Sequence, residues 1–144
     1  MANNYSEGTM TPYIPASLIK EGTDLYRLIH EGSLEDKDGY PMSIGYDLDG
    51  DAYYFYANED VGYFSNEVAE IFQKFLRTIP VDTMPYIIFE EAYTCSKMHQ
   101  GEFGGAAWFI TRKSIRCQGT SSWIAKMEEQ YKNRRKHLKE VNER

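Results

Sequence analysis

The sequence predicts an α+β fold: two antiparallel β-hairpins forming a sheet, packed by about three helices, the last of them long and basic. Three observations carry this. Val68, Ile71, Phe72, Phe75, Leu76 and Ile79 recur at helical spacing, which gathers all six on one apolar stripe. Met42, Ile44, Tyr46 and Leu48 alternate with Ser43, Gly45 and Asp47, the period of a strand with one buried face. Two strand-like runs are each followed by a second, residues 53–56 after Asp49-Gly50 and residues 106–111 after residues 86–93, as hairpins require.

Taken in order, residues 1–10 show no apolar period and are expected to form a loose leader. Pro12 and Pro15 push their predecessors out of the helical region, so residues 11–15 are extended. A first helix is predicted over residues 24–31, with Thr23 as N-cap, Asp24 in the first turn and Gly32 as the stop. Its inward face holds Leu25, Leu28 and Ile29. Residues 31–40 are polar and contain Gly, the composition of a loop. The first hairpin follows, turning at Asp49-Gly50, where Gly tolerates positive φ. After a turn over residues 58–64, the second helix spans residues 66–79. Ser65 or Asn66 caps it, Glu67 and Glu70 favour its positive end, and Pro80 ends it.

The second hairpin has strands at residues 86–93 and 106–111, the latter continuing through residues 115–117. The polar stretch between them contains Gly101, Gly104 and Gly105. It precedes a strand, whereas a phosphate cradle needs a helix N-terminus, so it reads as a connecting loop. The last helix is predicted over residues 122–142, with Ser121 as cap. Ile124, Met127, Tyr131, Arg134, Leu138 and Val141 recur at alternating steps of three and four. That is the narrow seam of a coiled coil, interrupted by one Arg. The whole of residues 1–144 is expected to be one α+β domain, with residues 121–142 able to project from it.

Size and composition agree. A chain of 144 residues and 16.7 kDa buries roughly 70% of its unfolded surface, enough core without metal or disulfide staples. No apolar run approaches the roughly 20 residues of a spanning helix, and residues 1–8 lack the basic and apolar regions of a signal peptide. Cys95 and Cys117 form no CxxC pair and read as reduced thiols. The expectation is a cytoplasmic protein without membrane attachment.

The net charge of −6 conceals a division. Residues 1–95 hold 5 basic and 17 acidic side chains, and residues 96–144 hold 11 basic and 5 acidic, so the chain is −12 and then +6. A uniformly basic nucleic-acid binder is excluded. The division is satisfied either by docking the last helix on the acidic body or by two surfaces of opposite sign with separate partners.

No motif specifies a chemistry. Asp47-Leu48-Asp49-Gly50-Asp51 places Gly at the fourth position and Asn58 at the twelfth. A calcium loop wants Gly sixth and Glu twelfth, so this is a solvated hairpin tip. Cys95, His99 and Cys117 match no standard metal spacing, and no metal or cofactor is expected. Nucleophile-elbow, Walker and dinucleotide-binding motifs are absent. The strongest feature is the crowding of Tyr40, Tyr46, Tyr53, Tyr54, Tyr56 and Tyr63 into an acidic region. Tyrosine combines apolar area with a hydroxyl, and carboxylates steer a basic partner.

The leading expectation is therefore a small non-enzymatic binding or inhibitory protein, comparable in size and charge alone to phage-type inhibitors and immunity proteins. Its contacts to a basic protein site would be Asp47, Asp49, Asp51, Tyr54, Tyr56, Glu59 and Asp60. The first alternative is a nucleic-acid-associated or particle-structural protein that docks through Lys132, Arg134, Arg135, Lys136 and Lys139. The second is a small enzyme using Glu90, Glu91 and His99, which must converge in a pocket. Ile124, Met127, Tyr131, Leu138 and Val141 would serve a homodimer.

Overall fold

The computed structural model describes residues 4–95 and 103–142. Its centre is an antiparallel sheet of seven strands. Strands β1 (Asn4–Thr11) and β2 (Ile14–Pro15) flank the cis Thr11–Pro12 peptide. The first hairpin is β5 (Gly45–Asp49) with β6 (Ala52–Ala57), paired from Gly45↔Tyr56 to Asp49↔Ala52. The second is β7 (Ile87–Cys95) with β8 (Gly104–Ile110), and β9 (Ile115–Gly119) extends it. On the side of β6 away from β5, both β1 and β2 pair with it. The other edge of β1 pairs with β7 along its whole length.

That placement corrects the expected loose leader. Residues 4–11 form a central strand that joins the two hairpins. The sequence conceals this because the strand brings Asn, Ser and Gly, and from Ser6 on only one buried apolar side chain, Met10. Tertiary pairing overrides local preference here.

Helix α1 (Asp24–His30) starts where expected: the Thr23 hydroxyl accepts from the Tyr26 amide at 3.3 Å. Helix α2 (Asn66–Leu76) is capped by Ser65, whose hydroxyl accepts from the Val68 amide at 3.2 Å. It stops three residues short of the predicted end, and Ile79 is buried beyond it. The expected strand over residues 42–48 is divided. Pro41–Met42 (β4) pairs with Leu34–Glu35 (β3) as a small ribbon inside the expected loop, and pairing with β6 begins at Gly45.

One face of the sheet meets α1 and α2. Phe64 stacks on Phe89 with ring centroids 4.0 Å apart and meets Trp108 edge-on at 5.3 Å. Phe72 from α2 meets Phe55 edge-on at 5.0 Å. Leu25, Leu28, Ile14, Ile87 and Ile110 complete the core. Polar clips hold α2 in place. Gln73 Nε2 donates to the Thr111 carbonyl and Arg77 Nε to the Arg112 carbonyl, both at 3.0 Å, while Arg112 Nη2 donates to the Ile79 carbonyl.

Helix α3 (Thr120–Asn142) behaves differently. None of its residues is buried, and among the described residues it contacts β8 and β9. The expected Ser121 cap lies inside the helix. Thr120 is the first helical residue, and its hydroxyl accepts from the Gly105 amide at 3.1 Å. Both ion pairs among the described residues, Arg27–Asp24 and Lys74–Asp24, lie elsewhere.

Phe72→Ala is expected to destabilise the fold by about 3–5 kcal/mol in urea unfolding. Leu48, which alternation assigns to the inner face, is 56% exposed at the hairpin end. Leu48→Ala is expected to cost under about 1 kcal/mol.

Candidate protein-binding surface

Side chains alternate along a strand, and residues paired across an antiparallel sheet share a face. Tyr53, Phe55 and Ala57 face the helices, so Tyr54 and Tyr56 face away from them. The register carries this outer face across the sheet. One row runs Tyr56, Thr9, Glu90, Ala107, Gln118, and another Thr11, Ile88, Phe109, Arg116. Every residue of these two rows is exposed or half-buried. Among the described residues, nothing buries this outer face.

Three tyrosines line its β6 edge. The Tyr13 and Tyr54 rings lie 5.5 Å apart, and those of Tyr54 and Tyr56 6.1 Å apart. Asp47 pairs across the hairpin with Tyr54, whose hydroxyl donates to Asp47 Oδ2 at 3.0 Å. That hydrogen bond, more than its slight desolvation or the Asp47 charge, raises the Tyr54 pKa above the usual phenol value. The phenol therefore stays a neutral donor tied to a carboxylate. Tyr56 lies flat over Gly45, the residue opposite it, where any Cβ would collide with the ring.

The seven residues expected to contact a partner spread along the first hairpin and into the turn beyond it. Asp47, Asp49, Tyr54 and Tyr56 share the outer face, with Asp51 at the hairpin tip beside them. Glu59 and Asp60 sit in the turn closed by Asn58 and Gly62, beyond the opposite end of β6. Six strand residues at about 3.3 Å each set that turn about 20 Å from the hairpin tip at Asp51, while Tyr56 lies beside the turn. Residue-type crowding in sequence missed Tyr13, Ile88, Glu90 and the stacked pair Tyr86–Phe109, whose centroids are 4.8 Å apart. The alternation of residues 86–89 held the signal, since Ile87 and Phe89 are buried and Tyr86 and Ile88 are not.

Glu90 and Glu91 are neighbours on β7 and so point to opposite faces. Glu90 is exposed on the outer face. Glu91 is half-buried on the inner face, where its Oε1 accepts from the Tyr93 hydroxyl at 2.6 Å and from Trp108 Nε1 at 3.4 Å. A cleft of about 320 Å³ opens between α1 and α2, and neither carboxylate lines it. His99 lies outside the described residues, as does the side chain of Cys95, so the enzyme and metal groupings that use them lie there too. Among the described residues, no three His, Cys, Asp or Glu side chains gather as a metal site. Cys117 is a free thiol across from Trp108, its pKa raised by burial and then by the Glu91 charge. On α3, the side chains of Lys132, Arg134, Arg135, Lys136 and Lys139 are all exposed. The Arg135 guanidinium lies 5.9 Å from the Tyr131 ring centre.

Comparison of the chain with protein-family models, with curated proteins and with solved structures finds no match in any of the three. No helix among the described residues is long and apolar enough to cross a membrane.

Burial, then the hydrogen bond to Glu91 and its charge, push the Tyr93 pKa far above the ordinary phenol range. Folding thus favours the neutral phenol. The resulting stability is fully present below about pH 10, the unfolded value, and is lost as pH rises through the folded one. Tyrosine-resolved NMR titration is expected to find Tyr93 still protonated at about pH 11. Glu91→Gln lowers its pKa only part of the way, because burial remains.

Proposed function

We propose that this chain is a small non-enzymatic binding protein of inhibitory type, which applies its acidic, tyrosine-lined outer sheet face to a basic site on another protein. The observation that carries the reading is the outer sheet face itself. Tyr13, Tyr54 and Tyr56 lie side by side there, with Asp47 held against Tyr54. An amphipathic ring row gives contact area at small entropic cost, and its carboxylates favour encounter with cations. Asp49, Asp51, Glu7 and Glu90 add negative charge on or beside the same face, and Arg116 is its cation on the far strand. The reading places the protein in the cytoplasm, where the free Cys117 thiol stays reduced.

The second reading, docking on nucleic acid or a particle through the cations of α3, draws support from one observation. Those cationic side chains are all exposed. The enzyme alternative draws none from Glu90 and Glu91, which face apart.

One experiment separates the first two. Immobilised protein is challenged with lysate from its source cell, using the native chain, D47K/D49K/D51K, Y54A/Y56A, and a truncation after Met127. On the proposed reading a specific partner is captured by the native chain and the truncation, and lost from both outer-face variants. Capture unchanged by the outer-face variants and abolished by the truncation sinks it in favour of the basic helix.

A further inference from the structure

Helix α3 is an amphipathic element whose seam no described residue buries. Its seam residues are exposed by 50% at Ile124, 60% at Tyr131, 61% at Leu138 and 46% at Val141. The seam runs from Ile124 to Val141, about 26 Å at 1.5 Å per residue. In most protein helices, packing of such a face supplies the stability that local propensity does not. Among the described residues, the body buries none of these side chains.

In heptad terms Ile124, Tyr131 and Leu138 occupy a, and Met127, Arg134 and Val141 occupy d. A second copy can lie alongside in two directions, and charge decides between them. From Thr120 to Gln130 the helix carries Lys126 against Glu128 and Glu129, a net −1. From Tyr131 to Asn142 it carries five cations, Lys132, Arg134, Arg135, Lys136 and Lys139, against Glu140, a net +4. A parallel pair sets +4 beside +4 and Arg134 against its own copy in the seam. A reversed pair sets each +4 half beside a −1 half and opposes the two helix dipoles favourably.

Reversal also matches the seam. It places each a position against a d position and each e position beside an e position. Ile124 then packs on the second copy's Val141, Met127 on its Leu138, and Tyr131 on its Arg134. The one cation of the seam thus meets a phenol ring, where a guanidinium is well received. At e, Glu128 faces the second copy's Arg135, twice by symmetry.

We propose that α3 is a dimerisation arm, pairing with the α3 of a second copy as an antiparallel two-stranded coiled coil in that register. The arrangement holds two acidic sheet faces at opposite ends of one rod and goes beyond the proposed partner binding, which does not require it.

The test is sedimentation equilibrium of the full chain after nuclease treatment. The native protein is expected to be a reversible dimer, and Ile124→Asp with Leu138→Asp a monomer. Glu128→Arg or Arg135→Glu alone sets like charges together at two symmetric places and weakens dimerisation about tenfold. The double exchange E128R/R135E restores it, and Arg134→Leu tightens it. In a parallel pair neither single change opposes like charges, because e then faces Trp123 or Gln130, and the exchange rescues nothing. Because α3 buries nothing in the core, each variant should keep the native urea midpoint of the body. A concentration-independent monomer, association only with nucleic acid present, a dimer that survives the two Asp substitutions, or singles not rescued by the exchange overturns the proposal. The outer-face variants D47K/D49K/D51K and Y54A/Y56A leave the dimer intact, so failure here and failure of partner capture are distinguishable.

Discussion

The pairing of β1 with β6 on one edge and β7 on the other is the constraint on which the architecture depends. Neither hairpin has enough apolar surface to fold alone in water. Joined through β1, they present Phe55, Met10 and Phe89 as one inner surface. Gly8 makes the junction close. A Cβ there would lie 2.6 Å from the Phe89 ring and 2.6 Å from the Glu90 carbonyl oxygen. With only hydrogen at that position, the Phe89 ring occupies the space over the strand and stacks with Phe64. Phe64 in turn delivers the chain to Ser65 and the start of α2. A residue from an apparently featureless terminus thus permits the aromatic contact that seats the main helix.

The outer face follows from the same pairing. Two helices cover one side of the sheet, and no third helix reaches across the other. Strand alternation then sorts neighbours by chemistry. Phe55 is buried while Tyr54 and Tyr56 meet solvent; Glu91 is held by Tyr93 and Trp108 while Glu90 stands free. A carboxylate pair adjacent in sequence is thereby separated by the thickness of the sheet, and an acidic tyrosine row is assembled from β2's flank, β5 and β6.

Much of the fold was legible in the sequence, for definite reasons. The α2 stripe and the Thr23 and Ser65 caps are local signals, and the structure repeats them. The hairpin at Asp49-Gly50 is local too. What escaped was set by distant partners. From Ser6 on, strand β1 has one buried apolar residue, Met10, so its position is determined by β6 and β7 and not by its own pattern. The division of residues 42–48 arises because Met42 pairs with Leu34. At the surface, crowding in sequence pointed to Tyr54, Tyr56 and Asp47, which share the outer face, and to Glu59 and Asp60, which lie in the turn after β6. Tyr13 was missed because its neighbours Pro12 and Pro15 said only that the chain was extended.

Amide hydrogen exchange on the native chain tests the role of β1 most directly. If β1 is the strand that unites the sheet, the amides of residues 8–11 that pair with β6 and β7 exchange as slowly as those of Phe55 and Phe89, through global unfolding. Exchange of those β1 amides at the rate of an unprotected chain, with β6 and β7 still protected, would contradict the account.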